Sequence, residues 1–512
     1  MKFIKGKDRN QIEFFCLDQV ISDDNEVRFI DLFLQAVNLE DFGFKMDFIE
    51  NGRPAYHPAD LLRLFIYGYL NRIRHSRQLE KECHRNLEVM WLMKGLAPDH
   101  NTISNFRRDN PKSIRKVFHA AVKLAKNFDL IGGKLIAGDG TKLRAQNSKK
   151  NNFNAKKIDR HIAYIDNKLE EYMAILAEED NDLTEADKSE IQAKIEKHEK
   201  NKATYQDYQK QLETSGETQI STSDPESRHL LIRGNHSEVA YNIQSTVDAK
   251  NNIPIDFKVT NQTDSHAMGS ITRRANKILG TNEYTGLFDK GYFAGSEFDY
   301  AHKLGVNVLV GIPKVKSHAP DYGFDVTHFE YIKKEDVHIC PAGKRLTTNG
   351  KWYTKDYGKT TIRAKRYKTN ACKTCPLIEK CTKNQKGRTI DRNEYADLIE
   401  ANQERMKKNK ELYSRRQAIV EHPFGTIKRQ WGFDYIITKK TMNRATADVG
   451  LIFTCYVLRR ILNLVDKNKL KKFLIELCLI FSAYISHFKA ISRYFFFKPE
   501  HPKFEISFPR YL

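Results

Sequence analysis

The sequence predicts an α/β protein with a helical N-terminal region and a sheet interrupted by a helical hairpin. Three observations carry this. Short β-runs alternate with helical segments between residues 131 and 312, an apolar 4,3,4,3 period runs from residue 158, and several short capped helices precede residue 110. The 512 residues suggest two to four domains. A hydrophobic fraction of 40% with 11% aromatics supports real cores and excludes a wholly disordered basic chain.

The elements follow in order. His57-Pro58-Ala59-Asp60 opens a helix through Leu61, Leu64, Phe65, Tyr69 and Leu70, with Pro58 acceptable in a first turn. A second helix starts near Ser76, a third carries Leu87 to Met93, and a fourth follows Asp99-His100-Asn101-Thr102 as ISNFRRDN. Short helices joined by tight turns match a helix-turn-helix arrangement, and equally an ordinary helical bundle. The Arg and Lys content favours DNA, with Arg107 and Arg108 as candidate contacts.

GGKLIAGDGTKL reads as a short strand ending at a Gly-Asp-Gly, with Asp139 at its centre. Ile158, Ile162, Ile165, Leu169, Tyr172 and Leu176, then Ile191, Ile195 and Leu212 after a polar break, predict an antiparallel helical hairpin. Thr184 and Asp187 mark the start of its second helix. AYNIQSTVDAKNNIPIDFKVTN reads as a β-hairpin. An apolar run into Asp289, a helix from Ser296 to Leu304 and a strand from Val306 to Ile312 complete an α/β pattern.

The net charge of +21 is unevenly spread. Residues 158–212 hold 14 acidic against 8 basic side chains, whereas residues 401–512 hold 22 basic against 9 acidic. A polyanion should therefore meet the C-terminal part of the chain, and nucleic acid is the commonest polyanionic partner. The N-terminus shows no apolar run followed by a small-residue cleavage site, so a cytoplasmic protein is expected. The most apolar stretch, Phe473 to Phe488, is shorter than a bilayer span and reads as a buried or partner-facing helix rather than a membrane segment. Eight cysteines in such a chain argue for reduced thiols or metal ligands, not a disulfide scaffold.

Three carboxylates stand out. Asp139 and Asp289 each follow a short apolar run and precede a Gly within two residues, a setting that lets a carboxylate approach a cation or phosphate. Either alone is also an ordinary turn residue. In YSRRQAIVEHPFGTIKRQWGF, Glu421, Gly425 and Lys428 fall at i, i+4 and i+7, one face of a helix, although Pro423 would kink it or set its start. The bland alternative is an amphipathic surface helix.

The ordered set GDGTK, the β-hairpin, DKGY and VEHPFGTIK resembles the DDE transposases of bacterial insertion sequences, which have a ribonuclease H-like fold. The resemblance includes HPADLLRLFIYGYLNRIRHSRQLEKEC and DHNTISNFRR, and covers most of residues 50 to 465. It implies a helical DNA-binding domain over 1–130 and a ribonuclease H-like catalytic domain over 131–465. The catalytic domain would carry insertions at about 150–220 (helical) and 313–400 (β-rich), leaving a tail over 466–512 of no readable role.

By position, Asp139, Asp289 and Glu421 would be the catalytic carboxylates, holding two Mg²⁺ or Mn²⁺ ions. The family signature Tyr-x2-Arg-x3-Glu-x6-Lys is matched at Glu421 and Lys428. Tyr413 and Arg416 keep their mutual spacing one residue early, and with Lys428 and Lys290 are implied DNA contacts, with Lys142 a second-tier phosphate candidate. The implied partners are double-stranded DNA, as terminal inverted repeats and target, and a second copy of the chain in a synaptic complex. The implied location is the bacterial cytoplasm, at the nucleoid. A nuclease of the same fold without strand transfer, or an inactive DNA-binding descendant, are the competing readings.

Between Asp289 and Glu421 lie Cys340, Cys372, Cys375 and Cys381. The Cys-x2-Cys pair and the turn after Cys340 make a tetrahedral thiolate Zn²⁺ site chemically reasonable, against four reduced thiols. Cys16, Cys83, Cys455 and Cys478 sit in apolar contexts and read as buried.

Overall fold

The computed structural model describes residues 10–480, apart from 13, 15, 47–53, 178–183, 234–235, 315–318 and 358–359. Two compact units divide the chain: residues 1–130 with 431–512, and residues 131–430.

The first unit is helical. It contains α1 (Leu17–Val20), α2 (Glu26–Gln35), α3 (Pro58–Leu70), α4 (Ser76–Arg85), α5 (Leu87–Leu92), α6 (His100–Asp109) and α7 (Pro111–Asn127). Pro58 takes the first turn of α3, where its missing N–H costs nothing, and His57 caps the Ala59 N–H. Asp99 caps α6 through the N–H groups of Asn101 and Thr102. Every residue of α3 is buried, which explains its largely apolar character, and its two charged side chains pair with each other, Arg63 Nη1 lying 2.7 Å from Asp60 Oδ1.

A long helix, α15 (Met442–Leu464), packs on α7 and α3, with Phe453 edge-on to Phe118. The sequence reading carried the catalytic domain to residue 465, but the compact division falls at 430 and puts α15 with the helices. Its residues from Ala447 to Leu458 are buried all round, so it needs helices on every side.

A charged cluster lies inside this unit. Asp448 is fully buried and accepts from Tyr69, from Arg74 Nη2 at 2.6 Å and from the Ile437 N–H at 2.8 Å. Arg107 Nη1 donates to Tyr69 Oη at 2.8 Å and to the Arg74 carbonyl at 3.1 Å. Burial alone would raise the Asp448 carboxyl, but Arg74 and Arg107 outweigh it and hold the carboxyl below its ordinary value. This corrects one expectation. Arg107 shares the inward face of α6 with Ile103 at i+4, is 4% exposed, and serves the core rather than DNA. Arg108 is exposed and paired with Asp109. Trp431 is also buried, edge-on to Phe433.

The second unit is a mixed α/β structure. Its central sheet contains β1 (Leu135–Arg144), β4 (Arg228–Arg233), β5 (His236–Asp248), β6 (Ile253–Thr260), β7 (Thr285–Phe288) and β8 (Asn307–Val310). The order is β4-β5-β1-β7-β8, with β6 also on β5; β1, β7 and β8 are parallel and β5 runs antiparallel to β1. The predicted β-hairpin is β5 and β6. Between β1 and β4, the short pair β2 (Asn152–Phe153) and β3 (Ile220–Ser221) closes the base of the predicted helical hairpin, α8 (Ala155–Ala177) and α9 (Glu185–Ser215). Thr184 and Asp187 form the reciprocal cap expected of them.

Helices α10 (Met268–Leu279) and α11 (Gly295–Lys303) alternate with the later strands. Two small sheets follow: β9 (Glu330–Ile332), β10 (Val337–Ile339) and β11 (Arg345–Leu346), then β12 (Tyr353–Tyr357), β13 (Thr360–Tyr367) and β14 (Ile390–Asn393). A short helix, α12 (Ile378–Cys381), lies between β13 and β14, and α13 (Ala396–Lys408) and α14 (Lys410–Gly425) end the unit. Ile419 and Val420 of α14 pack on Ala137, Val247, Leu287 and Leu309 of the central sheet. No described helix is long and apolar enough to cross a membrane. The apolar stretch is helical through residue 480, and its remainder lies outside the described residues.

Candidate active site

Asp139 does not end its strand. β1 continues through Gly140 to Arg144, paired with β5 at Asp139↔Ser245 and Gly140↔Gln244. The strand tolerates Gly140 because the space for a side chain there is taken. A Cβ would lie 2.3 Å from Asp264 Oδ1 and 2.7 Å from both Asn242 Oδ1 and Gln244 Nε2. Those groups are tied to one another: Asn242 Nδ2 donates to Asp264 Oδ1 at 2.8 Å, Gln244 Nε2 donates to the same oxygen, and Tyr292 Oη donates to Gln244 Oε1. Gly140→Ala is expected to cost about 1–3 kcal/mol of stability from overpacking. Denaturant titration measures this effect.

Asp289 follows β7, the parallel neighbour of β1 in which Phe288 faces Gly138, and its Oδ1 caps the Gly291 N–H at 2.7 Å. The structure therefore sets Asp139 within β1 and Asp289 just past the end of its parallel neighbour β7. Asp139 Oδ1 accepts from the Gly140 N–H at 2.8 Å, and Oδ2 lies 3.6 Å from Arg416 Nη1. Burial pushes the Asp139 carboxyl up to about 6; Arg416 and the Gly140 N–H oppose this, while the charges of Asp289 and Asp264 add to it. One guanidinium at 3.6 Å does not fully offset burial and two anionic neighbours, so the carboxyl stays raised.

The cations come from α14 and the turn after it. Tyr413 and Arg416, at i and i+3, face the sheet; Tyr413 Oη donates to the Phe288 carbonyl at 3.1 Å, immediately before Asp289. Lys428 reaches β1, donating to the Lys142 carbonyl at 3.1 Å and Thr141 Oγ1 at 3.3 Å. It does so by a route the sequence reading did not foresee. The α-helix ends at Gly425 with Pro423 inside it, and residues Thr426–Gln430 form a π-turn that resets the phase of the following side chains. The i, i+4, i+7 face drawn through Glu421, Gly425 and Lys428 is thereby broken. Glu421 is exposed, and its Oε1 accepts from Gln417 Nε2 at 2.7 Å. It lies about 140° around the helix from Arg416. Lys290 is exposed beside Asp289.

Four residues of this region were missed from sequence: Asn242, Gln244, Asp264 and Tyr292. The signal was present in β5, where Asn242, Gln244 and Thr246 alternate inside a strand that is buried on both faces. Asp264 also pairs with Lys142 Nζ at 3.4 Å.

The oxygen donors Asp139 and Asp289 suit a hard divalent cation, and Arg416 only partly offsets the burial and the neighbouring acids that raise Asp139, so this pair fits such an ion. Among the described residues no three His, Cys, Asp or Glu side chains stand assembled as a metal-holding group.

Residues 15–109 match the family described as transposase domain (DUF772), and residues 339–462 match the transposase DDE domain. No curated protein matches the chain. The matches define the class: the protein is a transposase. Its particular kind is the insertion-sequence DDE transposase that its ordered motifs resemble, a DNA-cleaving enzyme family that works with divalent metal ions. The second match contains Glu421 and Lys428, while Asp139 and Asp289 lie outside both matches and rest on the geometry above.

Proposed function

We propose that the protein binds the terminal inverted repeats of its insertion sequence, cleaves at the element ends and joins them to target DNA, with Asp139, Asp289 and Glu421 as the catalytic carboxylates. The observation that carries this reading is the placement of Asp139 within β1 and of Asp289 immediately after the adjacent parallel strand β7, with Arg416 at 3.6 Å from Asp139 and Tyr413 on the Phe288 carbonyl, both on the helix that bears Glu421. A ribonuclease H-like core is supported by the same mixed sheet, in which the neighbouring strands β1 and β7 bring the two aspartates to one region.

Asp139, Asp289 and Glu421 would hold two Mg²⁺ or Mn²⁺ ions, which when bound activate the attacking oxygen and neutralise the leaving one. The chain supplies the rest. Arg416, freed from Asp139 once that carboxylate is otherwise compensated, binds a phosphate of the element end. Lys428 stands beside β1 two to three residues past Asp139 and takes a neighbouring phosphate, with Lys290, Lys142 and exposed Arg108 as further contacts. Two copies of the chain, one on each end, would form the synaptic complex.

The proton on Asp139 gives a pH dependence. Protonation competes with cation binding, so apparent Mn²⁺ affinity is expected to fall about tenfold per pH unit below about 6 and to level off above it. Electron paramagnetic resonance titration of free Mn²⁺ measures this, and Asp139→Asn should abolish the slope.

The test of function is incubation of purified protein with labelled element ends, Mg²⁺ and a target plasmid. Joined products support transposition; cleavage without joining supports a nuclease of the same fold; end binding with no metal-dependent product refutes both.

A further inference from the structure

We infer that Cys340, Cys372, Cys375 and Cys381 form a structural zinc site that ties together the segment between β8 and α13. The four thiols come from three separate places. Cys340 follows β10 at the turn into β11, Cys372 and Cys375 lie on and just after the turn Asn370–Thr374, and Cys381 ends α12. The fold brings all four to the lining of one cavity, whose other walls include Phe329 and Leu346. All four are free, so no disulfide accounts for their convergence.

The turn at Cys340 is shaped for a thiolate. Its N–H donates to the Lys344 carbonyl at 2.9 Å and the Gly343 N–H donates back to the Cys340 carbonyl at 2.8 Å. This turns the Lys344 N–H onto Cys340 Sγ at 3.2 Å. A backbone N–H aimed at sulfur stabilises the anionic form that binds metal. At the second pair, the Cys375 N–H donates to the Cys372 carbonyl at 3.3 Å, closing the two cysteines into one turn. Gly387, at φ 93°, lies against Cys372, and a Cβ there would come within 2.6 Å of the Cys372 Cβ.

The segment also needs a staple. Strands β9, β10 and β11 have three, three and two residues, and the buried cluster beside them is Phe329, Leu346, Tyr367 and Ile390, with Cys340 and Cys381 packed against it. So small an apolar cluster does not stabilise such a fold alone, and structural metals commonly do. Sulfur donors select Zn²⁺ over the hard cations that suit Asp139 and Asp289. The thiols line the cavity without yet standing as a closed ligand group. Rotation of their side chains inward around an ion would complete four-coordination.

The experiment is metal analysis of the full-length protein purified without chelator, followed by Co²⁺ exchange. The inference predicts a single equivalent of zinc, a tetrahedral cobalt spectrum with thiolate charge-transfer bands, and little reaction of these four cysteines with Ellman's reagent until chelator is added. Cys375→Ser should lower zinc content at least several-fold, while Cys16→Ser, at an exposed cysteine, should leave it unchanged. Wild-type protein lacking zinc and Co²⁺ bands, with thiols that react at once, would overturn the inference even if the variants fail to fold.

Discussion

Asp139→Asn is expected to reduce element-end cleavage by at least about 10²–10³-fold while leaving end binding and folding intact. The amide keeps the shape and the acceptor for the Gly140 N–H, so β1 and its register with β5 should survive. What is lost is the negative charge that, with Asp289, is proposed to attract a divalent cation. Removal of that charge also leaves Arg416 with no acid at 3.6 Å, so affinity for DNA in the absence of metal should rise or stay constant rather than fall. That pairing of a lost rate with preserved binding separates a catalytic carboxylate from a structural one. Parallel measurements of single-turnover cleavage and of mobility shift without metal check it, and loss of binding in step with cleavage would contradict the assignment.

The second large effect is on stability. Asp448→Ala should destabilise the helical unit by about 3–5 kcal/mol, because it strands Arg74 and Arg107 without a counter-charge in the core. The depressed carboxyl gives the pH sign. Its contribution is present above the ordinary carboxylate value of 3.8 and is lost as pH falls below that value towards the lower native one. Denaturant titration of wild type should therefore show a loss of stability in that acid window that Asp448→Ala does not share. Replacing Asp448 and Arg74 together by apolar residues of similar volume should cost less than Asp448→Ala alone, since the desolvation of both charges disappears together.

The helical hairpin, the β5–β6 pair and the β-run leading into each of Asp139 and Asp289 were legible in the sequence because each depends on short-range signals; that the two aspartates come together was not, because it depends on the pairing of β1 with β7 across about 150 residues. Thr184 and Asp187 are three residues apart, the apolar period of α8 and α9 is local, and each aspartate follows its own β-run. The parts that were misread depend on partners far away in the chain. Nothing near Gly140 says that Asp264 will fill the space of its missing side chain and let β1 run on. Nothing near Arg107 says that Tyr69 and Asp448 wait for it in the core. Lys428 was placed by extending a 3.6-residue period across residues that form a π-turn, and the sequence offers no simple rule for that change of pitch. The four cysteines stand between these cases: spacing suggested a chelate, and only the fold shows three separate segments reaching one cavity.

The claim that Asp139 and Asp289 together form the centre of a transposase active site is tested most directly by product analysis. Labelled element ends, Mg²⁺ and supercoiled target are incubated with wild type, Asp139→Asn and Asp289→Asn. Joined products are expected from wild type only, with both variants still binding the ends. Joined products from either variant at the wild-type rate would contradict it.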